Sequence, residues 1–159
     1  MQKNIGKTVV IAVSLIAVIS TRSMSAMEQE SAKIQPLVSH QFFEEAKKNK
    51  NWKFAFATGQ QEQIVFMNIS PSTNPNNEIG MEVHEFDQVI LIVQGKANAL
   101  LNGKTSSVKE GDMIFIPMGT PHNVINLGGK KELKLISFYS QTDIPRGAAY
   151  KTKADQPED

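Results

Sequence analysis

Four residues of this chain are spaced for metal chemistry: Glu82, His84, Gln88 and His122. Glu82 and His84 stand two apart, so in an extended strand their side chains leave the same face, while Met81 and Val83 face the other way. Gln88 lies four residues further on with the same parity and joins that face if the strand runs on without a bulge. His122 comes from a second segment, GDMIFIPMGTPHNVIN (Gly111 to Asn126). There Gly111 and Asp112 end a turn, Met113 to Ile116 read as a short apolar strand, Pro117 to Pro121 form a stiff bend, and His122 opens the next strand. Two imidazoles, one carboxylate and one neutral amide oxygen suit a first-row divalent metal. Taken singly, the residues have plainer readings: His84 as a polar residue on a half-exposed strand, Glu82 as a solvated charge, Gln88 as part of an Asp87-Gln88 turn facing water. The joint spacing is what favours a shared ion.

At these residues the chain resembles the cupin superfamily. The second motif of that family is present in full as Gly111, Pro117, Gly119, His122 and Asn126. The first motif keeps His84, the six-residue step from Gln88 and the closing Gly95, but has Glu82 where the family usually has a histidine and Gln88 where it usually has a glutamate. That departure exchanges ligands without emptying the site. The pattern is similar to a subgroup of small single-domain cupins with glutamate before the histidine and an Asp-Gln pair after it. The likeness extends to HNVIN (His122 to Asn126) and ISFYS (Ile136 to Ser140), and covers Gln61 to Asp155. The ending IPRGAAYKTKAD resembles a family ending in which Ile144 and Tyr150 would both be histidines, so any role for tail histidines is absent here. The resemblance implies an all-β jelly-roll barrel (a double-stranded β-helix) and a divalent transition metal, Fe, Mn, Zn or Ni, on Glu82, His84, Gln88 and His122. Cupins commonly pair, so it also implies a homodimer.

The elements that must position these residues are legible as short β-rich runs from Trp52 onward: WKFAFAT, QIVFMNI, QVILIVQ, ANALL, SSVK, MIFIP, HNVIN and LKLISFYS, separated by Gly, Asn and Pro clusters. Asn102-Gly103 marks a hairpin, because both residues tolerate positive φ. Val89 to Val93 is apolar throughout, so both faces of that strand must be covered, by two stacked sheets or by a sheet pair and a partner subunit. Ser70 to Glu78 is a polar loop and a candidate rim of the pocket. The expected organisation is an N-terminal arm over 27–51, in which FFEEAKKNKN forms a helical turn or two, a barrel over 52–145 and a tail over 146–159.

The first 26 residues read as a secretory signal peptide: lysines in MQKNIGK, the apolar run TVVIAVSLIAVIS, and small residues for cleavage after Ser25 or Ala26. The apolar run is short for a permanent span, so the expected location is outside the cytoplasm, in the periplasm, with no membrane anchor after processing. An uncleaved anchor is the competing reading. Cleavage removes Lys3, Lys7 and Arg22, leaving 14 basic against 16 acidic residues and a formal charge of −2. Such a chain lacks the electrostatic footprint that nucleic acid needs. With no cysteine it has neither disulfides nor a thiolate metal site.

Two histidines and one carboxylate, with Gln88 weak or displaceable, approach the facial triad of non-haem iron oxygenases, which makes dioxygenase-like oxidation of a small molecule the leading enzymatic reading. A Lewis-acid, isomerase-like reaction and a non-catalytic module for a sugar or anion remain beside it. Glu85 and Asp87 have the wrong parity for a general base, and His40 in SHQFFEEAKKNK has no partner motif.

Overall fold

The computed structural model describes residues 34–157, so the signal-peptide segment and the first part of the arm lie outside the described residues. Helix α1 (Phe42–Lys48) is followed by β1 (Lys53–Thr58), β2 (Gln63–Ile69), β3 (Gln88–Gln94), β4 (Lys96–Leu101), β5 (Lys104–Lys109), β6 (Met113–Ile116), β7 (His122–Asn126), β8 (Leu133–Tyr139) and β9 (Ala149–Tyr150). The strands pair antiparallel in two sheets, ordered β6-β3-β8-β2-β1-β9 and β5-β4-β7. This is the all-β jelly-roll arrangement expected of the chain. Among the described residues no helix is long and apolar enough to cross a membrane.

Turn chemistry sets the crossings. Asn102 and Gly103 take φ of 47° and 76°, closing the β4–β5 hairpin as the Asn-Gly pair requires. Gly95, at φ 99°, carries the chain from β3 in the larger sheet to β4 in the smaller one. A Cβ there would lie 3.3 Å from the Glu132 carbonyl oxygen, so both the dihedral and the space call for glycine.

The two faces of the larger sheet do different work. Its inner face sends Val65, Met67 and Ile69 of β2, Ile90 and Ile92 of β3, and Leu133 and Leu135 of β8 against Ala97, Ala99 and Val124 of the smaller sheet, forming the main core. One row of this face is polar instead: Gln63, Tyr139 and Gln88 stand in register across β2, β8 and β3, and all three are buried. The outer face carries Phe54, Phe56, Phe66, Leu91, Val93, Ile136 and Phe138, and Ala46 and Phe42 of α1 pack on it. The rings of Phe56 and Phe66 stack at 4.4 Å, and Phe42 lies 5.4 Å from Phe66.

Helix α1 covers the Leu91 and Val93 end of the apolar strand, while Val89 stays half-buried beside the exposed Phe115. The expected arm contributes a packed layer. Lys134, buried on the same outer face, fastens its end by donating to the Asn49 carbonyl oxygen at 2.7 Å while pairing with Glu132 at 2.8 Å. The segment expected as a tail also joins the sheet, since β9 pairs with β1 and Ala148 and Tyr150 pack against the main core.

Because Phe66 is nearly wholly buried and central to the aromatic cluster, Phe66→Ala should cost about 3–5 kcal/mol. Phe43→Ser, on the exposed side of α1, should stay within about 0.5 kcal/mol. Urea denaturation checks both, and equal costs would show that α1 does not seal this face.

Candidate metal centre

The centre is built first by backbone. Glu82 and His122 form an isolated antiparallel bridge in which each N–H donates to the other's carbonyl oxygen at 2.9 Å. Directly opposed residues send their side chains to the same face, so a carboxylate and an imidazole meet across this pair. The expectation that Glu82 and His84 lie on a regular strand is corrected here, because a continuous ladder begins only at Gln88. Their shared direction survives in the alternating exposure from Met81 to Gln88, although the chain bends at Glu85 and Phe86. Met81, Val83, Glu85 and Asp87 are exposed, whereas Glu82, His84 and Phe86 are partly covered and Gln88 is buried.

The bend before His122 is tied to the first motif. Gly119, at φ 76°, donates its N–H to the His84 carbonyl oxygen at 2.8 Å, and the Met118 N–H reaches Asp87 Oδ1 at 2.8 Å. Asp87 thus faces away from the centre, as its parity predicts, and acts as a clamp. The asparagine closing the second motif has a structural task as well. Buried Asn126 donates to the carbonyls of Ser70 and Lys131 and accepts from the Gly128 N–H at 2.7 Å, pinning the loops behind β7. The Ser70 to Glu78 loop reaches the same strand through Glu78, which accepts from Asn123 at 2.9 Å.

One ligating atom each from Glu82, His84 and His122 lies within 4.8 Å of the others. Glu82 Oε2 is 3.3 Å from His84 Nε2 and 3.9 Å from His122 Nε2. His122 Nδ1 sits 2.9 Å from the Thr120 carbonyl oxygen. A carbonyl only accepts, so Nδ1 carries the proton and Nε2 presents its lone pair to the centre. The His84 ring is held flat against Phe86, with centroids 4.7 Å apart and planes at 11°. Both Nε2 atoms are buried without a hydrogen-bond partner. Burial pulls His122 below the ordinary imidazole range, and it is neutral at pH 7. Burial pushes the Glu82 carboxyl up, but the approach of His84 and the Lys53 ammonium outweigh this and hold it below the usual carboxylate range.

Gln88 sits at the start of β3 with its amide nitrogen donating to Ser137 Oγ at 3.1 Å, which leaves Oε1 buried and unpaired. Its register partner Tyr139 places its ring 5.6 Å from His84. Burial, reinforced by the charges of Glu82 and Asp143, drives the Tyr139 phenol well above its ordinary range, keeping it an O–H. Tyr139, Lys53 and Asp143 are residues that the sequence reading did not single out. A signal for Lys53 existed: in KFAFAT the aromatic Phe54 and Phe56 share one face, leaving Lys53 on the other with Ala55 and Ala57. The alternation does not say which face points inward, and the burial of the phenylalanines under α1 settles it.

The family model for the cupin domain, Cupin_2, matches residues 72–139, which include all four expected ligands. The crystal structure of BH2720 from Bacillus halodurans is 30% identical, with a TM-score of 0.70 over 76% of this chain and 92% of that one. The chain belongs to the cupin family. Two curated relatives of this cupin are the uncharacterised protein YrkC of Bacillus subtilis and the uncharacterised protein L612 of Acanthamoeba polyphaga mimivirus. YrkC is 35% identical over 117 residues, 69% of this chain, and L612 is 38% identical over 109 residues, 65% of this chain. The matches span 60% of YrkC and 65% of L612, less than two thirds of either.

The protonation states make the metal-free cupin acid-sensitive. Below about 6.5 the unfolded chain takes up a proton that folded His122 refuses, so stability falls as pH drops from there toward the lower folded value. The part contributed by Glu82 is present above about 4.5 and is lost as pH falls through its lowered folded value. Thermal melts in chelator should therefore decline in two stages on acidification, and His122→Gln should flatten the first. An unchanged profile in that variant would show that His122 is not the group responsible.

Proposed function

We propose that this cupin holds a divalent transition metal, Fe, Mn, Zn or Ni, on Glu82, His84 and His122, and uses it in a dioxygenase-like oxidation of a small molecule. The observation that carries this reading is the pair of buried, unpartnered imidazole nitrogens facing one carboxylate oxygen. Buried polar atoms left without partners are costly, and an ion is the partner this donor set suits. Around an ion bonded at about 2.0–2.2 Å, neighbouring ligand atoms stand about 3–3.5 Å apart. The separations of 3.3 and 3.9 Å from Glu82 Oε2 need only a small adjustment to meet this. Gln88 fits as a weak fourth ligand, since Ser137 occupies its nitrogen and leaves the oxygen free.

When bound, the metal supplies Lewis acidity and, if redox-active, electrons for dioxygen chemistry. The protein supplies orientation and exclusion of water. Thr120 fixes the tautomer of His122, Phe86 fixes the plane of His84, and Tyr139 keeps a neutral hydroxyl beside them for a substrate oxygen. Glu82 also lines an open cleft with Trp52, Ile79, Gly80, Met81 and Lys153, and we assign this cleft as the approach to the centre. Export is part of the proposal, supported by the basic, apolar and small-residue sequence of the first 26 residues.

Elemental analysis of protein purified without added metal, followed by oxygen uptake with candidate enols, phenols and hydroxy acids, tests the reading. Substoichiometric metal both as purified and after reconstitution would overturn it. Metal uptake with ligand-induced thermal shifts but no turnover would instead establish a binding module.

Glu82→Gln should weaken metal binding about tenfold or more, because a carboxylate partly neutralises the ion in a low-dielectric pocket, whereas Gln88→Ala removes only a dipole and should cost less. Affinity should also fall as pH drops into the lowered range where folded His122 takes its proton. Competition titrations with a chromophoric chelator check both; equal affinities for wild type and Glu82→Gln would remove Glu82 from the ligand set.

A further inference from the structure

Glu82 presents its two oxygens to different partners. Oε2 faces the histidines, at 3.3 and 3.9 Å, while Oε1 lies 3.9 Å from Lys53 Nζ. Lys53 is 1% exposed and projects from the inner face of β1. Its ammonium is also 3.4 Å from Asp143 Oδ2. Asp143 is fixed independently of the metal residues. Gln63 Oε1 accepts the N–H groups of Asp143 and Ile144 at 3.0 and 3.1 Å, and Gln63 Nε2 donates to the Ile144 carbonyl oxygen at 2.8 Å. The chain from Gln63 through Asp143 thus sets where the Lys53 charge stands, and Lys53 sets which oxygen of Glu82 turns to the histidines.

We propose that Lys53 is a positioning residue that keeps Glu82 a one-oxygen ligand. A carboxylate left alone beside a divalent ion is free to bind through one or both oxygens, and the second mode fills a coordination position. A buried cation on Oε1 opposes that mode and draws electron density from the carboxylate, so the ion is held less tightly and keeps a position open for a small molecule. A lysine whose sole task is to neutralise Asp143 would have neither effect. The inference rests on the metal reading above.

Co(II) provides the probe, because its visible d–d absorption weakens as its coordination number rises. The double variant Lys53→Met/Asp143→Asn removes the cation without leaving an orphan carboxylate. It should bind Co(II) about tenfold more tightly and with weaker visible absorption, while Lys53→Arg, which keeps the cation, should retain the wild-type spectrum. Co(II) bound by the double variant with unchanged affinity and intensity would overturn the inference while leaving the metal reading intact; a wild type that takes up no Co(II) would overturn both, and His84→Ala supplies the non-binding reference. Should the double variant fail to fold, a crystal structure of the wild-type protein with Co(II) decides the point: the inference requires Glu82 on the ion through Oε2 alone with Oε1 on Lys53, and two-oxygen ligation defeats it.

Discussion

The reciprocal backbone pair between Glu82 and His122 is the constraint on which the rest of the centre depends. It joins two segments forty residues apart in sequence with two hydrogen bonds and forces their side chains to one face. Once it forms, the extended backbone of the first motif delivers His84, and the bend that precedes His122 closes back onto the His84 carbonyl through Gly119. The positions of three donor groups are therefore fixed by main-chain geometry, which side-chain substitution leaves in place. Variants at Glu82, His84 and His122 are then informative, because they alter donors on a frame that other residues hold.

The interior so formed is electrostatically demanding. Glu82, Asp143 and Lys53 lie close together beside two imidazoles, in space that the two sheets otherwise fill with aliphatic side chains. The lysine partly balances the two carboxylates, but it does not reach the imidazole nitrogens or the Gln88 oxygen, which stay without a hydrogen-bond partner. Unpaired groups of this kind cost stability in proportion to their burial. A ligand that engaged them would return that free energy only to the folded state.

How much of this was legible in the sequence differs by residue, for physical reasons. Parity along Met81 to Gln88 was readable because it belongs to the chain itself, and it held even where no regular strand formed. Glycine and proline spacing was readable because φ is restricted locally: Asn102-Gly103 and the bend from Pro117 to Pro121 appear where expected. Lys53 and Asp143 were not readable, since 90 residues separate them and their meeting depends on the path of the whole sheet. Helix α1 was only faintly signalled, because among its own residues Ala46 is buried while most of its length stays exposed. The edge strand β9 is two residues long and carries almost no periodic signal.

The division between the faces of the larger sheet explains how one small domain tolerates such an interior. Strands alternate, so every residue committed to the centre on the inner face has neighbours free to pack on the outer one. In β1, Lys53 and Ala55 face inward while Phe54 and Phe56 face α1; in β8, Ser137 and Tyr139 face inward while Ile136 and Phe138 face out. The aromatic cluster under α1 gains its stability without including Glu82, His84 or His122, and it stiffens the same strands that present Lys53, Gln88 and Tyr139. Loss of packing on that face would loosen the centre even though no ligand had changed, because precision at the inner face is inherited from close packing at the outer one.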